Sequence, residues 1–528
     1  EVHARSAASS RLARSHPLLG NCAVQSWLVL LSLNAAVRRG EIVSADRLRL
    51  GTMISFGFGQ ISEAVKNVGF NTFLLFYYNQ VLGVSATLTS IALASALVFD
   101  AVTDPVAGAL SDKTRSRWGR RHPFILIASV PLAITFFLLF NPPENLTESA
   151  YFLWLLTFAV LTRAAMTFYH IPHLALGAEL ATNYDQRSTL YAFNTFFASL
   201  GAGIFAAVSY RFFFPNTAEF NPGPLDPNAY SSWTVFAGAI MIIAILVCVF
   251  GTRSEIPRLR AIATKAAQER FGIRRLGVEL ASAFRNRSFR AIFFGMMLGT
   301  FIISVEAVFQ PFMGFHFWGM TSQQLSLIPL VSMLGLFSSL VAIRAITKKF
   351  DKKPTLIGSA LLTILNINIP IVLALFDVSW FPERGSTALL VILMVNATVT
   401  GFLGPIIFAT LNSMFADITD EHELEVGERR EGIIFSARAF AVKATSSFGL
   451  IFGGVLLDWI QFPRGAITGE VAEPIIWQLG VIAGPATSVF TFFGMALYLR
   501  YRIDRKRHLE ITEALAIQRS EFSEIRGK

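Results

Sequence analysis

Charged residues are scarce in this chain. Lys, Arg, Asp and Glu make up 15% of its 528 residues, whereas an ordinary soluble domain carries about 25%. A soluble protein of this length needs charged surface to stay dispersed, and long stretches of this sequence have almost none. The low charge therefore excludes a large water-soluble fold, and most of the chain must lie in lipid.

Cysteine is also scarce, and the groups that an enzyme needs are missing. Cys22 and Cys248 are far apart and stand among residues that do not bind metals, so neither a disulfide framework nor a metal site is supported. The sequence shows no nucleophile paired with a base and no metal cluster, which excludes an enzyme and indicates no cofactor. It also lacks a repeated filter motif, so a channel or receptor ranks behind a transporter.

Long apolar segments are what the sequence has in abundance, with 49 Phe among them. Each covers the ~20 residues that a helix needs to cross hydrocarbon. The predicted fold is an all-α membrane protein with twelve transmembrane helices in two six-helix halves. The predicted spans are 54–81, 85–110, 123–141, 150–180, 189–214 and 232–252, then 288–317, 323–347, 354–377, 387–415, 432–460 and 475–501.

The +10 net charge indicates membrane orientation rather than nucleic acid binding, because the basic residues lie in separate loops between apolar segments. Lys and Arg concentrate in cytoplasmic connections, which predicts an inner-membrane protein with both termini in the cytoplasm. The linker between the halves either lies on the membrane surface as an amphipathic helix or forms a solvated loop. The predicted parts are 1–50 (an atypical extension), 51–252 (first half), 253–287 (linker), 288–501 (second half) and 502–528 (tail).

Two acids in the second span form the strongest candidate site. An ionised side chain at the bilayer centre costs about 2.5 to 3.5 kcal/mol, so each one inside a span is a functional candidate. Asp100 and Asp104 are four residues apart and leave the same helical face. Two like charges so close need a cation between them, as in a sodium or proton site. The alternative is a pair near the cytoplasmic end of the helix with no functional role.

A polar stripe in the fourth span and a lysine in the eleventh extend this site. Arg163, Thr167 and His170 share one helical face, where a hydroxyl and an imidazole can complete a cation site or relay a proton. Lys443 stands alone in an apolar span and needs a carboxylate partner across the bundle, so we expect it to face the central cavity. The predicted substrate cavity comprises Glu63, Lys66, Asn67, Arg163, His170, Leu174, Thr195, Glu306 and Lys443.

Two motifs resemble the signature of the glycoside-pentoside-hexuronide:cation symporter family, a branch of the major facilitator superfamily. The first is Asp100-Ala-Val-Thr-Asp104-Pro, followed by the basic loop Asp112–Pro123; the second is the acidic segment Ala416–Gly432, which leads into Lys443. The resemblance implies two helical halves around a central site. It further implies that Asp100, Asp104 and Thr167 coordinate the coupling cation, with Lys443 near the cation and sugar sites.

The sequence departs from the family pattern at the sugar-reading positions. The family aspartates of spans 1 and 4 fall at Ala64, beside Glu63, and at His170; the stacking tryptophan is Leu174, and the span 5 arginine is Thr195. Sugar recognition needs dense hydrogen bonding and an aromatic platform. A galactoside is therefore disfavoured, and another glycoside or an amphiphile such as a lysolipid stays open. Because His170 stands where the family has an aspartate, the site has one anionic ligand fewer, which favours H⁺ slightly over Na⁺ as the coupling ion.

We expect a monomeric transporter in the lipid bilayer that moves a small solute by alternating access, with cation and solute binding the same state. The basic loop and the acidic segment both lie on the predicted cytoplasmic side. Pairing between them across the halves would stabilise the outward-open state. The predicted cytoplasmic gate consists of Arg117, Arg121, Asp417, Asp420, Glu421 and Glu431.

Overall fold

The computed structural model describes residues 48–181, 183–263, 284–426 and 431–526. Nearly all of them belong to one compact unit, Leu50–Lys528. The described residues are helices joined by turns and contain no strand. The predicted extension lies outside the described residues apart from its last three positions, as does most of the linker.

Six long helices form the first half. Side-chain caps fix several of their starts: Ser85, Thr147 and Asn183 each accept a hydrogen bond from a backbone amide in the first turn of the helix that follows. The helices are α1 (Leu50–Val68), α2 (Ala86–Lys113), α3 (His122–Leu139), α4 (Glu148–Leu180), α5 (Tyr184–Val208) and α6 (Ala229–Thr252). The chain after α1 continues through the π-helical segments Gly69–Leu74 and Tyr77–Val81.

The second half repeats this arrangement after a short helix, Ile256–Ala263. A further helix, α13 (Arg505–Arg526), follows the second half. The helices of this half are α7 (Arg287–Phe312), α8 (Leu327–Phe350), α9 (Lys352–Leu375), α10 (Thr387–Val426), α11 (Glu431–Trp459) and α12, which comprises Glu473–Val481, the π-helical Ile482–Ala486 and Thr487–Tyr498.

Eleven helices in the described part of the chain are long and apolar enough to cross a membrane. They correspond to α2 to α12, so the predicted all-α membrane fold is confirmed. The helix α1 is not among them, because Gln60, Glu63 and Lys66 lower its hydropathy. With its π-helical continuation, α1 reaches Val81 and accounts for the twelfth predicted segment.

The helices of the two halves pack in matching pairs. In the first half α1 packs on α5 and α6, α3 on α4 and α6, and α2 on α4. In the second half α7 packs on α11 and α12, α9 on α10 and α12, and α8 on α10. The halves meet along two seams, α2 with α11 and α5 with α8. The pairings agree with the weak internal repeat in the sequence.

Small residues allow the helices of the α2–α11 seam to approach closely. A Cβ atom at Gly454 of α11 would lie 2.6 Å from the carbonyl oxygen of Ala86 in α2, closer than such atoms can stand. Glycine is therefore required there, as is usual where membrane helices pack backbone to backbone.

Polar contacts close the halves against each other at one end of the bundle, the end opposite the basic loops that follow α2 and α8. We call these the opposite end and the basic end. At the opposite end the Asp458 carboxylate of α11 accepts hydrogen bonds from the amides of Ala86 (3.1 Å) and Thr87 (2.8 Å) in the first turn of α2. Further hydrogen bonds between the halves join Gln80 to Pro463 and Ala466, Asn216 to Ser322, and Asn221 to Thr468.

Candidate functional site

The centre of the candidate site is Asp104, which contacts residues of both halves. The Thr167 hydroxyl of α4 donates to its Oδ1 at 2.9 Å. Its Oδ2 accepts from the ammonium group of Lys443, which belongs to α11 in the other half. Both side chains of this ion pair keep about a quarter of their surface exposed, so the pair borders open space inside the bundle. The structure thus brings together three residues that the sequence places far apart.

Asp100 lies one turn from Asp104 and has a cation of its own. It is buried and forms an ion pair with Arg163 of α4. Its second oxygen, Oδ1, is buried without a hydrogen-bond partner among the described residues. Each of the two acids is therefore neutralised by a basic side chain of the protein, and one carboxylate oxygen is left available to a ligand.

His170 faces a different acid from the one expected. Its Nδ1 lies 3.5 Å from Oε2 of Glu63 in α1, too far for a normal hydrogen bond. The amide of Gln60 also donates to this carboxylate. His170 thus extends the polar cluster towards α1 and shows no hydrogen bond to the carboxylates of Asp100 or Asp104.

Lys66 and Arg163 share an aromatic neighbour that sequence analysis missed. The buried Lys66 donates to Oδ1 of Asn67 at 2.6 Å, and its ammonium lies 5.6 Å from the ring centre of Phe70. The guanidinium of Arg163 lies 5.1 Å from the same ring. Cations are attracted to ring faces at such distances. In the sequence Phe70 is one of 49 phenylalanines, with nothing to distinguish it.

Three other predicted cavity residues lie apart from these ion pairs. Leu174 is half-buried and its carbonyl accepts from the hydroxyl of Tyr191. Thr195 is exposed, and its hydroxyl is bonded to the carbonyl of Tyr191 in its own helix at 3.0 Å. Glu306 of α7 is half-buried and has no hydrogen-bond or ion-pair partner among the described residues. No hydrogen bond or ion pair of the described residues joins these three side chains to the polar cluster.

At the basic end, the predicted gate residue Arg121 binds acids of its own half. It bonds Glu179 of α4 at 2.8 Å and Asp112 at the end of α2. Arg120 adds a second contact to Glu179 at 3.0 Å. Arg117 is exposed and has no partner among the described residues. Glu179, which sequence analysis missed, is the main acceptor for this loop.

Asp417 of the acidic segment also binds residues of its own half. Both of its carboxylate oxygens accept from the Lys352 ammonium at 2.7 Å, and the Tyr501 hydroxyl donates to one of them at 2.9 Å. Glu421 accepts from the Asn286 amide at 2.7 Å. These contacts tie α10 to the starts of α7 and α9 and to the segment after α12.

The observed gate contacts differ from the expected pairing across the halves. Arg121 and Asp417 find nearer partners within their own halves while the halves are held together at the opposite end. Asp420 has an interaction of its own, and the side chain of Glu431 lies outside the described residues.

Comparison with known proteins agrees with this architecture. The sequence profile of the MFS/sugar transport protein family matches residues 55–505. The isoprimeverose transporter of Lactiplantibacillus pentosus is 25% identical over 78% of this chain and 80% of its own. The sodium-dependent lysophosphatidylcholine symporter 1-A of Danio rerio is 22% identical over 87% of each chain.

The solved structure of the nucleoside transporter NupG has the same fold. It superposes with a TM-score of 0.54 at 16% identity, over 85% of this chain and 99% of that one. The profile match spans most of the sequence and nearly all of the twelve helices of the two halves. This chain belongs to the MFS/sugar transport protein family and is a multi-pass membrane transporter, not an enzyme.

Proposed function

We propose that this transporter is a symporter that couples the movement of a small solute, a sugar or glycoside, to H⁺ or Na⁺ by alternating access. The observation that carries the proposal is the position of Asp104 between the two halves, held by Thr167 on one side and by Lys443 on the other. The isoprimeverose transporter, whose name gives its solute, supports the sugar class.

The ion pair at Asp104 supplies a coupling mechanism. The carboxylate is already neutralised by Lys443, so a proton or sodium ion that binds there must displace the ammonium group. Because Asp104 belongs to the first half and Lys443 to the second, this exchange removes a contact between the halves. An ion can shift a conformational equilibrium only if it binds one state more tightly than the other, and loss of this contact provides that difference.

The remaining groups fit a cation ligand set and a solute cavity. Asp100 Oδ1, the Asp104 carboxylate and the Thr167 hydroxyl offer oxygen ligands of the kind that hard cations prefer. His170, which lies close to Glu63, offers an imidazole that can relay a proton when H⁺ is the ion. The solute then lies between the halves, beside the polar cluster.

We assign the basic end of the bundle to the cytoplasm of an inner membrane, with both termini on that side, and we assign function to the monomer. With the opposite end closed by the Asp458 contacts, the structure corresponds to a state open towards the cytoplasm. In the outward-open state, Arg121 would exchange its partners for the acidic segment of the second half, and Arg117 would pair with the same segment.

The test begins by finding the solute and then separates exchange from coupling. Purified protein is screened by thermal shift against sugars, glycosides and lysolipids, with and without Na⁺ and across pH. The solute found is then used in proteoliposomes for counterflow and for uphill uptake driven by an ion gradient. Asp104→Asn should keep counterflow and lose uphill uptake, because the amide has no negative charge to hold a cation and cannot take up a proton.

Asp377→Asn is the matched control, since it makes the same chemical change in an exposed loop at a position with a positive φ, which Asn tolerates as well as Asp. Uphill uptake by Asp104→Asn at the rate of the control would refute ion coupling at this site. Passage without saturation would identify a channel instead.

A second candidate solute is an amphiphile such as a lysolipid. At two positions where the resembled family has a tryptophan and an arginine for sugar recognition, this chain has Leu174 and Thr195, and the Danio rerio relative is named for lysophosphatidylcholine. The same screen separates the two classes: stabilisation by a lysolipid and by no sugar would select the amphiphile.

A further inference from the structure

A separate cavity of about 320 Å³ lies at the basic end of the second half, between the end of α8 and the start of α13. Its volume falls at the lower end of the ~300 to 1,000 Å³ that ligand pockets occupy, so it suits a small polar group. It is lined among others by Arg344, Thr347, Lys348, Lys352 and Arg505. None of these residues belongs to the site at Asp104.

The acids around this cavity are occupied by donors of the protein itself. Asp417 is bonded to Lys352 through both oxygens at 2.7 Å. Asp351 accepts from the backbone amides of Lys352 (2.6 Å) and Arg505 (3.2 Å). Asp504, the third acid that lines the cavity, is exposed, and its Oδ1 accepts from the backbone amide of Arg507 at 2.8 Å. Each of the three lining acids therefore already has a donor of the protein.

Tyr501 strengthens this wall of the cavity. Its hydroxyl donates to Asp417 at 2.9 Å. Burial and the neighbouring Asp417 carboxylate raise the pKa of Tyr501, so its hydroxyl stays protonated and keeps donating. The Asp417 carboxylate thus has two fixed donors, and a ligand would have to meet the remaining cations.

Those cations lack such partners. Arg344 and Lys348 are exposed and stand four residues apart on one face of α8, and their side chains make no hydrogen bond or ion pair with other described residues. Arg505 is held in place through one nitrogen, Nη2, by the carbonyls of Thr347 (3.3 Å) and Lys348 (2.8 Å). Its remaining guanidinium donors have no such bonds in the described chain. Three basic groups thus surround one cavity, and each has hydrogen-bond donors that are not used by the described residues.

We propose that this cavity binds a phosphate group, and that its source is the headgroup of an anionic phospholipid. Phosphate oxygens match the donors that converge here. The lipid source follows from position: Val341, which is 81% exposed, shares the stripe of α8 that carries Arg344 and Lys348. An acyl chain can lie along that apolar stripe while the headgroup occupies the cavity at the membrane surface, where Lys and Arg attract anionic lipid.

The test compares two doubly substituted proteins of equal charge. Arg344→Gln with Lys348→Gln removes two cations of the cavity. Lys349→Gln with Lys506→Gln removes two exposed cations at the same end that do not line it. Binding of phosphatidylglycerol to the full chain is measured by native mass spectrometry, with phosphatidylcholine of the same acyl chains for comparison. Inorganic phosphate is added in a separate series.

We expect phosphatidylglycerol to bind roughly 30-fold more weakly to the first double variant, because each of the two basic residues that meet the headgroup contributes about one kcal/mol to anionic lipid binding. Binding to the second variant should be as strong as before, because its two lysines do not line the cavity. Both variants make the same change in net charge, so an equal loss in the two would mean general surface attraction and would overturn the proposal. Unchanged binding in both would also overturn it. Displacement of the lipid by millimolar inorganic phosphate would support the cavity and reassign the source to soluble phosphate.

Discussion

The contact between Asp458 and the start of α2 should control how readily the opposite end of the bundle opens. The carboxylate bridges the two halves by accepting from the amides of Ala86 and Thr87. Asp458→Asn removes the charge and leaves one amide oxygen in place of two carboxylate oxygens. Asp458→Ala removes both acceptors.

The expected size of the effect follows from these two hydrogen bonds. Loss of a helix-capping side chain costs about 0.5 to 2 kcal/mol, and hydrogen bonds to charged groups contribute about 1.5 to 3 kcal/mol each. Asp458 is half-buried and its amide partners regain water when the end opens. A net loss of about 1 to 2 kcal/mol is therefore expected, which shifts the ratio of closed to open molecules by roughly 5- to 30-fold.

Electron paramagnetic resonance distance measurements can detect that shift. Labels at Glu144→Cys and Ser379→Cys, in a background with the native cysteines replaced, report the spacing of two exposed loops at the opposite end, one in each half. Both Asp458 variants should increase the population at the longer distance, and Asp458→Ala should do so more.

The matched control removes a carboxylate at the same end that does not cross the halves. Glu473 pairs with Arg384 at 2.7 Å within the second half. Glu473→Gln should leave the distance distribution unchanged. The reasoning fails if the Asp458 variants keep the parent distribution, or if the control variant shows the same opening as they do.

Two further predictions concern the seam between α2 and α11. Lys443→Gln leaves the Asp104 carboxylate without its cation. Na⁺ or acid should therefore raise the melting temperature of this variant by several degrees more than that of the parent. An equal response in both proteins would contradict displacement of Lys443 by the ion. Gly454→Val places side-chain atoms against the carbonyl of Ala86, where even a Cβ would lie at 2.6 Å. It should shift the distribution of the label-to-label distance towards the open form. An unchanged distribution would show that α2 and α11 accommodate the larger side chain without opening.

Much of the site could be predicted from the sequence because charges inside apolar spans are costly and must meet partners. Asp104 and Thr167 were expected at one cation site, and a hydrogen bond joins them. Lys443 was expected to need a carboxylate, and the sequence offers Asp100, Asp104 and Glu63 as candidates. Which acid it contacts could not be predicted, because the choice depends on the rotation and depth of α11 against α2, and the apolar pattern of a lipid-exposed helix fixes neither.

The same limit explains the differences. His170 lies one turn from Thr167 in α4, so helical spacing placed it at the cation site, but the packing of α1 brings Glu63 closer to it. The predicted pairing of the gate residues rested on their opposite charges alone. A sequence gives no sign of which end of the bundle is closed, and Arg121 consequently binds Glu179 of its own half in this state.

Three polar links in antiparallel order join α2 to α11: Asp458 to the first turn of α2, the Ser447 hydroxyl to the carbonyl of Ala94 at 3.3 Å, and Lys443 to Asp104. From the first to the last they span about 27 Å along α2, at roughly 1.5 Å per residue. An ion that displaces Lys443 removes the link nearest the basic end and leaves the other two. In the proposed mechanism the ion then has to offset the Asp458 and Ser447 contacts, together with the other hydrogen bonds between the halves at the opposite end, before that end opens. Their strength therefore sets how tightly the coupling ion must bind to drive the change.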